Sequence, residues 1–260
     1  IVRGGELPVP NAFATASQVD GESQHLVCFS DLDTNGHANN TKYLEWVNDL
    51  LLNGKKLCGI LTESAFSPEL PPAPLHWLLA DKHACVTVES TKHGLEIHQN
   101  PVGILTNSPP FPQQMLNLSN YMQLSPQEPD NRFAKDVTLA PYSRGMGTMG
   151  MPGDLSSSSR FIRATFTKSN SPKMRSEERS VAHFFHILGS VEMCEGSVRV
   201  GRKNERTQYS SCVNVNDGIY YYRTYGNSRI TAIRMRNENL DSAKLISYPI
   251  RHKNDILFEN

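Results

Sequence analysis

Past residue 84 the hydrophobic pattern changes period twice, and that order restricts the fold more than any other feature of the chain. Alternating segments come first: Ala84–Glu89 (ACVTVE), Leu95–His98 and Val102–Thr106. Gly94 and Asn100-Pro101 separate them, so a meander of strands is expected. Helical spacing then takes over in Gln113–Leu124, about Ser157–Thr167 and Val181–Leu188. In the last of these, Val181, Phe184, Phe185 and Leu188 recur at i, i+3, i+4 and i+7 ahead of a stop at Gly189. The period returns to two in Gln208–Val213, Gly218–Tyr225, Arg229–Met235 and Lys244–Tyr248. Strands, then helices, then strands predict a layered α+β fold; a parallel sheet would interleave strand and helix throughout.

The first third reads differently. His25–Ser30 is a short strand candidate running into a polar turn, Asp31–Asn40, and a helix is expected from Thr41, with Leu44, Val47 and Leu51 on one face and Asn53-Gly54 as its stop. Residues 63–76 carry four prolines and mark a boundary or an ordered surface loop. The chain of 260 residues is 38% hydrophobic and 20% charged, which excludes a disordered or low-complexity protein. Its formal net charge of zero points away from nucleic acid and from a basic membrane surface. Apolar runs reach only about five residues, against the roughly 20 needed to span a bilayer. No secretory signal opens the chain, and it starts at Ile1, which reads as a processed, trimmed or partial product. Five scattered cysteines, Cys28, Cys58, Cys85, Cys194 and Cys212, contain no C-x-x-C pair and suit reduced thiols in a cytoplasmic protein.

Several motifs invite chemistry and are weighed against plainer readings. Gly145-x-Gly147-x-x-Gly150 matches a dinucleotide fingerprint in letters, but Ala-Pro-Tyr-Ser-Arg precedes it where a strand is required and Pro152 follows at once. The glycines are read as serving a tight loop with positive φ, and no cofactor is expected. His183 and His186 lie at i, i+3 on a helix without a third ligand at metal spacing, so no metal is expected. Ser156–Ser159 contain no nucleophile elbow and read as helix-start chemistry. Asp33-Thr-Asn35-Gly-His37 packs a carboxylate, an amide and an imidazole into one turn; a capping turn for the next helix is the plainer reading and carbonyl polarisation the sharper one. Asn107 follows a strand and Arg160 opens a helix; amide hydrolysis could use such a donor and such a cation, although spacing alone does not connect them.

From about Ile60 to the C-terminus the chain resembles the choloylglycine hydrolases, the bile salt hydrolases and penicillin V acylases. The stretches that carry the resemblance are Pro72-Ala-Pro-Leu-His-Trp-Leu-Leu-Ala-Asp81, Gly103-Ile-Leu-Thr-Asn-Ser-Pro109, Tyr142-Ser-Arg-Gly-Met-Gly147, Leu155–Phe166 (LSSSSRFIRATF), Phe184–Ser190 (FFHILGS) and Gln208-Tyr-Ser-Ser-Cys212. The resemblance implies an N-terminal-nucleophile hydrolase-like four-layer αββα sandwich. It also implies hydrolysis of a linear amide C–N bond by a cysteine exposed at the head of the mature chain, whose own α-amino group is the base. Within it, Asn107 aligns with the active-site asparagine of the L-T-N motif and Arg160 with the active-site arginine of the S-R-F motif. The substrate it implies is a small conjugated bile salt, cleaved to glycine or taurine, in a homo-oligomer that is a homotetramer in the family.

The family's opening segment is not recognisable here, so the sandwich is expected to be N-terminally truncated, with exposed sheet edges and activity impaired for want of the N-terminal cysteine. Cleavage before Cys58 would expose a replacement, at a place where the family has ordinary sequence. In that segment's place, residues of about 3–52, above all Phe29–Trp46 (FSDLDTNGHANNTKYLEW), resemble the hotdog domain of acyl-ACP thioesterases. That resemblance implies a catalytic role for Asp33, Asn35 and His37. Two parts are therefore expected: 1–57, thioesterase-like, and 58–260, choloylglycine hydrolase-like. The alternatives are thioesterase activity from the first part or a catalytically inactive chimeric remnant.

Overall fold

The computed structural model describes residues 76–80, 84–91, 94–240, 242 and 246–260. The expected strand at His25–Ser30, the helix from Thr41, the turn holding Asp33, Asn35 and His37, and Cys28 and Cys58 all lie outside these residues. The chain divides into two compact units, Ile1–Leu105 and Thr106–Asn260.

In the first unit, β1 (His76–Ala80), β2 (Cys85–Thr91) and β3 (Gly94–Gln99) form an antiparallel sheet in the order β1-β2-β3. This is the expected meander, with Val88 facing both Trp77 and Ile97 in register. Strand β1 lies ahead of Ala84–Glu89, the first strand expected in this region. Trp77, Val86 and Val88 are buried. The expected strand at Val102–Thr106 is absent. The buried Asn100 side chain captures that backbone instead: Oδ1 accepts from the N–H of Val102 (3.2 Å) and Gly103 (2.7 Å), and Nδ2 donates to the Ile104 carbonyl (2.9 Å). With Gly103 at φ 60, these local bonds close a turn where a ladder would otherwise have formed.

The second unit opens with α1 (Phe111–Leu118), followed by α2 (Ser157–Ser169) and α3 (Glu177–Gly189). Helix α1 starts two residues before the expected Gln113, because Pro112 sits in the first turn, where no N–H is needed. It tightens into a 3₁₀ turn at Ser119–Tyr121, short of the expected Leu124. Ser156 caps α2, its side chain accepting from the Ser159 N–H, so the serine run does serve as helix-start chemistry. Ser176 caps α3 in the same way, and Glu177 and Glu178 in the first turn favour that positive helix end, extending α3 four residues ahead of its apolar stripe.

The remaining strands are a short pair, β4 (Val198–Val200) with β5 (Lys203–Glu205), and an antiparallel sheet of β6 (Tyr209–Asn214), β7 (Ile219–Thr224) and β8 (Asn227–Arg234) in that order. The expected strand at Lys244–Tyr248 is not one where it is described, at 246–248. Beyond it, the chain offers its carbonyls to side chains rather than to a ladder: Thr224 Oγ1 donates to Arg251 (2.7 Å) and Asn227 Nδ2 to Lys253 (2.8 Å).

The core of the second unit is aromatic. Phe111 and Phe161 meet edge to face, with ring centroids 6.2 Å apart, and join α1 to α2. Phe185, Ile162, Val181, Ile219 and Tyr222 are also buried. Each such side chain contributes about 1.5–3 kcal/mol of apolar transfer. No helix among the described residues is long and apolar enough to cross a membrane.

Candidate active site

Asn107 and Arg160 stand 53 positions apart in sequence and are bonded in the fold, with Arg160 Nη2 donating to Asn107 Oδ1 at 2.9 Å. The bend that leads into α1 carries Asn107, and the second turn of α2 carries Arg160. Packing Phe111 on Phe161 brings these two helix starts together. The polarity of the contact follows from the chemistry of the partners. A guanidinium only donates, so the Asn107 amide must turn its oxygen to Arg160, which leaves its NH₂ pointing the other way. Asn107 is exposed, and among the described residues nothing accepts from that NH₂.

Arg160 is half-buried. Its Nε donates to the Leu155 carbonyl at 3.1 Å, and among the described residues no carboxylate pairs with it. Burial lowers its pKa from the ordinary value, and the charge of Arg163 one turn on adds to the effect. It nonetheless remains a cation at any physiological pH. Arg163 is held differently: Nε donates to the Ser190 carbonyl (3.0 Å) and Nη1 to those of Pro152 (2.7 Å) and Asp154 (2.6 Å). It ties the end of the glycine-rich loop to the helices.

That loop behaves as the sequence suggests. Gly145 and Gly150 have φ of 81° and 91°, where a side chain would be strained. Gly147 answers to a close approach: a Cβ there would lie 1.9 Å from the Gln127 carbonyl oxygen and 2.5 Å from that of Ser125. At the loop's end Asp154 braces α2, its Oδ1 accepting from the Ser156 N–H (2.9 Å) and its Oδ2 from the Ser159 hydroxyl (2.5 Å). Hydrogen bonds from Ser156 and Ser159 hold the Asp154 carboxyl down to about 2.

Two residues beside the pair escaped sequence reasoning. Ser157, the first residue of α2, donates its hydroxyl to the Asn107 carbonyl at 2.6 Å. Gln114 is 1% exposed, and its Nε2 lies 3.3 Å from that same carbonyl. A signal for Gln114 was present in the sequence: it falls three positions after Phe111, on the apolar face of α1, where a polar side chain needs a reason.

His183 is half-buried, with no partner for Nε2 among the described residues, and His186 is exposed. No group of three side chains among the described residues converges to hold a metal. Cys194 and Cys212 carry free thiols, and burial pushes that of Cys212 up to about 11, so it is protonated at neutral pH. An apolar depression of about 160 Å³, lined by Leu118, Tyr121, Leu124, Ile162 and Phe166 among others, lies where α1 ends against α2. Asn107 and Arg160 do not line it.

The pair thus sets an amide donor beside a cation that has no carboxylate partner among the described residues. Such a pair can stabilise negative charge developing on a carbonyl oxygen or a thiolate. Comparison with known proteins bears on which chemistry that is. Residues 47–248 match the family model described as linear amide C–N hydrolases, choloylglycine hydrolase family, and residues 15–54 match the acyl-ACP thioesterase C-terminal domain. A bile salt hydrolase/transferase from Lactiplantibacillus plantarum is 46% identical over 252 residues, covering 89% of this chain and 77% of that protein. A bile salt hydrolase/transferase from Clostridium perfringens is 36% identical over 211 residues, covering 80% and 63%. Among solved structures, a mutant conjugated bile acid hydrolase from Clostridium perfringens superposes with a TM-score of 0.65 at 35% identity, over 75% of this chain and 60% of that one. Penicillin V acylase from Agrobacterium tumefaciens, with a TM-score of 0.51 at 17% identity, shares the fold. The chain therefore spans about three fifths of the length of these solved relatives.

Proposed function

The chain belongs to the choloylglycine hydrolase family, with that family's α+β N-terminal-nucleophile hydrolase class of fold, and from this premise we propose that it hydrolyses the linear amide bond of conjugated bile salts. A thiolate attacks the amide carbonyl to form a thioester, and the C–N bond breaks as the amine takes up a proton and leaves as glycine or taurine. Water then cleaves the thioester, returning the carboxylic acid and the thiol. The Asn107–Arg160 hydrogen bond carries the reading. It turns Asn107 Nδ2 outward as a donor to the oxyanion of the tetrahedral intermediate, while the Arg160 cation lowers the energy of a thiolate. Cys212 is not that thiolate, since its burial keeps it protonated. Among the described residues, neither it nor Cys194 hydrogen-bonds to the pair.

Incubation of the purified chain with glycocholate, followed by assay of free glycine, tests the reading. Release is expected, and Asn107→Ala should lower kcat by about 10²–10³-fold, the effect typical of one oxyanion donor. No release, or release indifferent to Asn107→Ala, would overturn it.

A second reading rests on the match of residues 15–54 to an acyl-ACP thioesterase domain. It divides the chain into 1–57 and 58–260 and gives Asp33, Asn35 and His37 a thioester to polarise. Thiol release from acyl-ACP that disappears in His37→Ala would support it, and no release would end it.

A further inference from the structure

Gln114 and Ser157 form, with Thr106, a closed polar cluster against the backbone of the proposed oxyanion donor. Gln114 Nε2 lies 3.3 Å from the Asn107 carbonyl, 3.3 Å from Ser157 Oγ and 3.4 Å from Thr106 Oγ1. Ser157 Oγ is 2.6 Å from the Asn107 carbonyl and 3.0 Å from Thr106 Oγ1, and Thr106 Oγ1 is 3.2 Å from the Ser157 carbonyl. Each hydroxyl has one proton to give, and the Gln114 amide has two. The shortest contact assigns the Ser157 proton to the Asn107 carbonyl, and Thr106 then donates to the Ser157 carbonyl. One Gln114 proton remains for the second lone pair of the Asn107 carbonyl, and the other goes to a hydroxyl oxygen.

We infer that Gln114, together with Ser157, is a positioning residue for the Asn107 amide. The inference rests on the reading of Asn107 as the oxyanion donor. Asn107 is gripped at two points along one helix. Ser157 holds its carbonyl, and Arg160, one turn on, holds its side-chain oxygen. Gln114 sets the first point from the opposite helix. It is 1% exposed and does this with its NH₂ alone. Its Oε1 is buried with no partner among the described residues, an arrangement that lowers stability and that Leu or Met would avoid. The side chain thus contributes a directed donor to that carbonyl. A carboxylate of the same shape would instead face the Asn107 carbonyl with an acceptor.

The test uses the full chain, labelled with ¹⁵N, as Gln114→Met, Gln114→Glu and the exposed neighbour control Gln113→Ala. In both Gln114 variants the Asn107 Nδ2 and Arg160 Nε resonances should shift or broaden. The Arg163 Nε resonance, on the same helix but anchored to Ser190, should hold. With glycocholate, kcat should fall by about 10²-fold, the scale of a misplaced catalytic group, while KM stays within about threefold, and Gln113→Ala should match the parent. Unmoved Asn107 and Arg160 resonances, or Arg163 moving with them, would overturn positioning, as would a loss confined to KM. Should the parent chain release no glycine while the resonances move as expected, the hydrolase reading fails and the positioning stands.

Discussion

Arg160 and Arg223 are both half-buried guanidiniums of the second unit, and they are held in opposite ways. Arg223, on β7, donates to Glu192 Oε1 at 2.5 Å and to the Phe185 carbonyl at 3.3 Å, and its guanidinium lies 5.2 Å from the Phe185 ring centroid. Glu192 also accepts from Ser210 at 3.0 Å. Among the described residues Arg160 meets only the neutral oxygens of Leu155 and Asn107. A cation matched to a carboxylate and stacked on a ring has spent its field and acts as a strut between α3 and the sheet. A cation surrounded by neutral dipoles keeps its field for an anion that arrives later. The two sites separate what holds the fold from what is available for chemistry.

The largest effect that could break this contrast is on turnover. Arg160→Gln should lower kcat for glycine release by about 10²–10³-fold, while the melting midpoint moves by only a few degrees. Equal damage to turnover from Arg223→Met would erase the distinction. Arg223→Met should instead cost about 1–3 kcal/mol in a urea titration, because Glu192 is left partly buried and unpaired, with glycine release per folded molecule unchanged. Gly147→Ala tests the loop that delivers Leu155 to Arg160. Its added methyl meets two backbone carbonyls and should destabilise by about 1–3 kcal/mol, read from the same titration.

The smallest effect concerns pH. Because Asp154 is held down to about 2 from 3.8, its bracing of α2 is fully present above 3.8 and lost as pH falls through about 2. The exposed carboxylate makes a small contribution, so Asp154→Asn should be slightly less stable than the parent at neutral pH. The difference should close as both are titrated toward pH 2, and a gap that persists there would contradict the assignment.

Much of this was legible in the sequence, for local reasons. The meander of β2 and β3 follows from a period of two broken at Gly94, and α2 from serines that cap it. Gly145 and Gly150 stand where a loop needs positive φ. Motif resemblance picked out Asn107 and Arg160 singly, each with a plain alternative. What tertiary structure decided was which distant groups meet. A strand at Val102–Thr106 satisfied the alternation rule and lost to the side chain of Asn100, whose four bonds include Thr87 on another strand. Residues 246–248 form no strand, and beyond them the carbonyls of Arg251 and Lys253 accept from Thr224 and Asn227 side chains. Composition and periodicity report what each residue does to its neighbours within a turn or a strand. The bond from Arg160 to Asn107, and the cluster of Gln114, Ser157 and Thr106 behind it, depend on Phe111 packing against Phe161. That contact brings together residues some 50 positions apart, and it exists only once the core has formed.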